Sequence, residues 1–318
     1  MNILSLRKYQ KVFFNQIMYE WEDDISLGLK MDVKKPSIIC YAISKFLDKI
    51  NVFHRMTRII RQDNKKNLAF LMFPFSYSNF CPYSIVPIFL DTFEKYVEEV
   101  KNAIKNIDVV VFTNYEMYLE QKNYYPNKKI FYIPLGIATR WVSEDVPNKK
   151  IDVVQVGRPN SKLHEWMLQY CKKNPKVEYV YRDTLESQEY ISTTRGKIGM
   201  CSTREEYIDL LKSSKISLVS TPGADDKSRT GKYDFFTPRF FESACCYCKM
   251  LGRYSNNAEA EYLHIDQVCD NVDSYEEFEL KLSIALSTSV NKELFLDFTK
   301  RNMFLNRLKN SGLLEELK

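Results

Sequence analysis

Residues 215–252, KISLVSTPGADDKSRTGKYDFFTPRFFESACCYCKMLG, constrain this chain more than any other stretch. Ile216, Ser217, Leu218 and Val219 form a short, mostly apolar run of the length and composition of a buried strand. Ser220-Thr221-Pro222-Gly223 ends it, because Pro and Gly together mark a loop. After a polar loop, Thr237 and Pro238 read as the N-cap and first residue of a helix. Phe241, Ala244, Cys245 and Cys248 then recur at helical spacing as its core face, and Met250-Leu251-Gly252 opens the next strand. Strands that alternate with helices in this way specify a parallel sheet covered by helices, the α/β class.

The rest of the chain repeats the alternation. Residues 2–6 read as a first strand, followed by a helix over 9–21 with Phe13, Ile17 and Trp21 on one face, closed by Glu22-Asp23-Asp24. Residues 36–62 read as one or two helices, with Lys45, Lys49, Arg55, Arg58, Arg61 and Lys65 largely off the apolar stripe. Such a basic face suits either an anionic membrane surface or plain solvent. Strands follow at 67–73, 84–90, where Asp91 stands at the carboxyl end, and 108–113, where Asn114 caps the next helix. In the second half, a strand at 151–156 runs into Gly157-Arg158-Pro159-Asn160-Ser161-Lys162 and a helix. Here a Gly turn, a helix N-terminus, an Arg and a Lys converge, as anion binding requires. The spacing is neither Gly-x4-Gly-Lys-Ser/Thr nor Gly-x-Gly-x-x-Gly, which argues against a P-loop and a dinucleotide dehydrogenase. Residues 184–203 are polar and carry no clear period, 204–213 read as a helix, and Ser274 with Glu277 spells a capping box.

A length of 318 residues accommodates two domains, and 45% hydrophobic residues supply a core for each. The net charge of +5 is unevenly placed: residues 1–143 hold 20 Lys and Arg against 14 Asp and Glu, whereas residues 144–318 hold 26 against 27. The basic first half is compatible with an anionic partner. Eight cysteines without secretory spacing indicate reduced thiols in a cytoplasmic setting, and Cys245-x-x-Cys248 reads as core packing rather than a metal site. No apolar run has the length of about 20 residues that a membrane span needs.

Two of these stretches resemble the donor-sugar site of GT-B glycosyltransferases of the "glycosyl transferases group 1" type, including their spore-maturation-like branch. The Arg-x-Phe-Glu signature of that branch stands here as Arg239-Phe240-Phe241-Glu242, and the pair of acidic residues with seven between them as Asp234 and Glu242. The chain departs from the pattern in carrying Asp at 234, where Glu is usual, and Cys246-Tyr247-Cys248 where small residues and Gly are usual. Gly157-Arg158 with Lys162 matches the first turn of the donor domain at a shorter spacing, and Pro134-Leu135-Gly136 the crossing between domains.

The resemblance implies two Rossmann-like domains facing each other across a cleft: an acceptor domain at 1–143 and a nucleotide-sugar domain at 144–318, with a last helix near 294–308 crossing back. It implies sugar transfer from a UDP- or GDP-linked donor to a saccharide or lipid-linked saccharide, as in surface polysaccharide or glycoconjugate synthesis. The transfer would need no metal or other cofactor and would retain the anomeric configuration. Gly157, Arg158, Lys162, Thr237, Pro238, Arg239 and Glu242 would bind the donor, with Glu242 on the ribose and Asp234 on the transferred sugar. Asp91 would serve as base if the reaction inverts, or position the acceptor if it retains. The expected setting is cytoplasmic, at the inner face of a membrane where the acceptor is lipid-linked, with no nucleic-acid partner. A nucleotide-sugar epimerase and a non-catalytic sugar-nucleotide binder of the same fold are the alternatives.

Overall fold

The computed structural model describes the chain except for residues 10, 12, 40–41, 43–45, 47–65, 73–83, 183, 185–188, 229 and 318. The basic face within 45–65 therefore lies almost wholly outside the described residues. The chain divides into two units, Met1–Pro134 with Phe304–Lys318, and Leu135–Met303. Residues 135–143 thus belong to the second unit.

The first unit holds a six-stranded sheet in the order β2-β1-β3-β4-β5-β6, parallel throughout. Its strands are β1 (Asn2–Leu4), β2 (Val33–Lys34), β3 (Asn67–Met72), β4 (Ile85–Leu90), β5 (Val109–Phe112) and β6 (Lys129–Tyr132). Leu68–Leu71 and Val109–Phe112 are buried without alternation, as strands covered on both faces require. Helix α1 spans Gln16–Leu29, running through the acidic cluster expected to close it. Its length has a physical reason: Arg7 reaches across and donates to the buried Glu22 at 2.9 Å and to Asp23 at 2.7 Å. Helices α2 (Val97–Ile104) and α3 (Tyr115–Tyr124) follow β4 and β5, and the Asn114 side chain accepts from Met117 N as its cap.

The second unit holds seven strands in the order β10-β9-β8-β7-β11-β12-β13. Strands β7 (Ile151–Gln155), β8 (Tyr179–Arg182), β11 (Ser214–Ser220), β12 (Lys249–Arg253) and β13 (Cys269–Asn271) run parallel. The stretch without a clear period contains a hairpin, β9 (Glu189–Ser192) and β10 (Gly196–Met200), added antiparallel to the edge beside β8. Only the inward residues of β9 are buried and β10 is largely exposed, so no long apolar pattern announces the hairpin.

The helices of this unit are α4 (Ser161–Lys173), α5 (Arg204–Lys212), α6 (Pro238–Cys245), α7 (Ala258–Leu263), α8 (Tyr275–Ser287) and α9 (Lys292–Arg301). At the head of α8 only half of the expected capping box forms. Ser274 accepts from Glu277 N, but the Glu277 carboxylate takes the N–H of Asp273. The single helix expected over 294–308 is two, α9 and then α10 (Phe304–Asn310), with Asn302-Met303 between them. Phe304 stacks on Trp21 at 4.8 Å, which seats the carboxyl-terminal segment, ending in α11 (Leu313–Glu316), within the first unit.

Candidate functional site

In the second sheet, β8 follows β7 on one side, whereas β11 adjoins β7 on the other. The connections therefore leave β7 and β11 in opposite directions. A crevice at such a reversal, outside the carboxyl ends of the strands, is where open α/β sheets bind ligands. Two helices begin there, α4 after β7 and α6 after β11.

The turn after β7 is built by Gly157, whose φ of +69° lies in the left-handed region. A Cβ at that position would also sit 3.6 Å from Nε of Arg239. That is an ordinary contact, so the positive φ is what favours glycine; the Arg239 guanidinium lies over the turn, where its Nη1 donates to the Arg158 carbonyl at 2.9 Å. Gly157 N donates to the Tyr190 hydroxyl at 3.2 Å, so the edge hairpin holds the turn from the other side. Asn160 caps α4 by accepting from Leu163 N at 3.0 Å. Gly157, Arg158 and Arg239 are therefore brought together, with Thr237 and Pro238 opening the same helix as Arg239.

At the head of α6, Pro238 stands in the first turn and Thr237 has the extended backbone of an N-cap, but its side chain makes no capping hydrogen bond. The Thr237 hydroxyl oxygen is buried without a hydrogen-bond partner among the described residues. The first-turn N–H groups and this hydroxyl provide donors and partial positive charge at the crevice. Beyond its first turn α6 is buried all round, from Phe240 to Cys245. Phe241 packs on Phe298 of α9, and Ser243 donates to Ser217 of β11 at 2.8 Å. The Cys248 thiol lies in the core and donates to the carbonyls of Leu211 and Ser214.

Glu242 is 2% exposed, and each of its oxygens has a donor: Arg204 Nη2 at 2.6 Å and the Tyr207 hydroxyl at 2.9 Å. Burial and the neighbouring Glu242 carboxylate push the Tyr207 phenol well above its ordinary value, so it remains a donor. Arg204 is missed by reading charges as surface, yet a signal exists: Arg204, Tyr207, Ile208 and Leu211 share one helical stripe, and all four are buried. A cation on an apolar stripe calls for a buried anion, and Glu242 on the α6 core face supplies it.

Asp234 is 4% exposed and braces the loop after β11, accepting from Gly223 N at 3.2 Å and from Ser255 N at 3.1 Å. Gly223 admits no side chain here, since a Cβ would meet the Thr230 hydroxyl at 2.8 Å and the Tyr233 carbonyl at 2.9 Å. Lys162 points to Asp225 at 2.8 Å. Asp91 stands in the first unit after β4, with a left-handed φ of +52°. In that sheet the reversal falls between β1 and β3, so Asp91 is not at the switch point.

The chain is similar to a solved trehalose-6-phosphate synthase, with a TM-score of 0.52 and 13% identity over 98% of this chain and 85% of that one. The fold is GT-B. Other similar structures are a DNA-modifying β-glucosyltransferase, with a TM-score of 0.44 and 11% identity over 100% of this chain and 96% of that one, and the GtfA/B complex, with a TM-score of 0.48 and 10% identity. The chain spans 60% of the GtfA/B chain it matches, with 85% of its own length. No protein-family model and no curated protein matches the sequence. In a GT-B chain each unit is Rossmann-like, and here the second carries the turn, helix head and arginines described above. Among the described residues no helix is long and apolar enough to cross a membrane.

Proposed function

We propose that this chain is a glycosyltransferase that takes a sugar from a UDP- or GDP-linked donor held by the second unit. The observation that carries the reading is the meeting of the Gly157 turn, the head of α6 and the Arg239 guanidinium at the sheet's reversal point. Diphosphate recognition there would use the α6 N-terminus, Arg239 and Arg158, and the same groups would stabilise the diphosphate as it leaves. A saccharide or lipid-linked saccharide acceptor falls to the first unit in this reading, with Asp91 as its positioning group or base. Metal independence and retention are parts of the same proposal, resting on the resemblance at 157–162 and 234–242; a cytoplasmic setting rests on the cysteine usage, and an anionic membrane surface as partner on the positive surplus of residues 1–143.

Burial changes the parts we assign to the two acidic residues. Glu242 already serves Arg204 and Tyr207, and Asp234 already serves Gly223 and Ser255. We assign both as braces that hold the helix and the loop in register, with the ribose and sugar hydroxyls meeting backbone and side-chain groups at the crevice rim. Incubating the protein with UDP- and GDP-sugars tests the reading: slow release of free sugar supports a transferase. An epimerised donor would mark an epimerase, and binding without turnover a non-catalytic relative.

A further inference from the structure

Asp225 lies on the loop after β11, two residues beyond Gly223, and its side chain is 9% exposed. Its carboxylate gathers three donor residues from two segments, the start of α4 and the end of β12. Arg253, at the end of β12, forks onto it with Nε at 2.6 Å and Nη2 at 2.7 Å. Asn160, the cap of α4, donates its Nδ2 at 2.7 Å, and Lys162 approaches at 2.8 Å. Arg253 is itself fixed by the Val272 carbonyl at 2.7 Å and lies over the Trp166 ring of α4 at 5.4 Å. A planar, two-bond fork of this kind sets direction as well as energy.

We propose that Asp225 is the positioning residue of the donor crevice: an internal anion that ties the turn after β7 to the loop after β11 and takes up the charge of Lys162. This inference rests on the donor reading above and changes it in one respect. Lys162, expected on the diphosphate, acts through Asp225, while Arg239 remains over the Gly157 turn. Burial alone would raise the Asp225 carboxyl, but hydrogen bonds from Arg253, Lys162 and Asn160 outweigh it and hold the group at about 2. Asp225 is therefore charged throughout the neutral range, and the latch does not open with ordinary changes of pH.

Two measurements on the full chain test the proposal, with UDP and GDP as probes. The first is calorimetry with Lys162→Met made in the wild-type and in the Asp225→Asn background. With Asp225 present, Lys162→Met should change nucleotide affinity by less than about threefold, since its charge is already spent. In the Asp225→Asn protein the lysine is freed, and removing it there should cost at least about tenfold, which is about 1.4 kcal/mol. A merely structural Asp225 would not make the effect of Lys162→Met depend on the background. A tenfold loss with Asp225 present, or equal losses in both backgrounds, overturns the assignment. The second measurement is hydrogen exchange on folded Asp225→Asn without nucleotide. Amides in both 157–163 and 221–226 should exchange faster than in wild type, and unchanged rates in the two segments overturn the latch. If neither nucleotide binds the wild type, the donor reading fails, and the exchange result still decides whether Asp225 joins the two segments.

Discussion

Replacing Glu242 by Ala should unfold the second unit far more readily, for a reason that has nothing to do with a ligand. The change removes the Glu242 carboxylate from the buried Arg204 guanidinium and from the Tyr207 hydroxyl. Breaking a buried pair from one side costs about 3–5 kcal/mol. In a unit of this size each kcal/mol lowers the melting temperature by about 2–4 °C. Glu242→Ala should therefore melt roughly 6–20 °C below wild type. The double variant Arg204→Met, Glu242→Leu removes both charges and fills the space with apolar side chains, so it should recover most of that loss. Scanning calorimetry of wild type, Arg204→Met, Glu242→Leu and the double variant measures the coupling directly. A Glu242→Ala protein melting within about 2 °C of wild type, well under the shift of the weakest buried pair, would refute the reasoning. The folded double variant also separates a brace from a ribose ligand: as a brace, Glu242 can be lost there with nucleotide affinity held within about tenfold.

Arg239→Ala should weaken binding of UDP or GDP by about 10- to 150-fold in calorimetry, the worth of one charge-assisted contact of about 1.5–3 kcal/mol. Gly157→Ala should lower the melting temperature of the second unit, because an L-residue in the left-handed region costs about 1–2 kcal/mol; an unchanged melting curve would contradict the φ of +69°. Burial pushes the Glu22 carboxyl from its ordinary 4.5 up to about 7, against the lowering by Ser5 and Arg7. Glu22 thus binds its proton more tightly folded than unfolded. That contribution to the first unit is complete below pH 4.5 and is lost as pH rises through about 7. Glu22→Gln should flatten the fall in melting temperature between pH 5 and 8, and a variant that falls as steeply as wild type would sink the assignment.

Much of this architecture was legible in the sequence because burial leaves a local trace. The runs at 67–73, 84–90 and 216–219 are apolar enough to read as covered strands, and each overlaps a strand of the structure; Asn114 announces its helix by a cap that the structure contains. The turn at Gly157 was legible for the same reason, since a strand ending in Gly before a helix has few alternatives. What escaped the sequence depends on partners far along the chain. Glu22-Asp23-Asp24 looks like the end of a helix until Arg7, 15 residues before Glu22, compensates the first carboxylate. Glu242 looks like a ribose ligand until Arg204, 38 residues earlier, takes one oxygen. Lys162 looks free for phosphate until Asp225 comes from the loop after β11. A charged side chain tells its type from sequence, but whether its charge is spent inside the protein is a tertiary fact.

The central claim is that a nucleoside diphosphate binds the second unit at the reversal between β7 and β11. Hydrogen exchange of the wild-type chain with and without saturating UDP or GDP tests it most directly. The account predicts slowed exchange at residues 156–162 and 237–241 with at least one of the two nucleotides. Protection confined to the first unit, or the absence of protection in both of those segments while calorimetry shows binding, would contradict it.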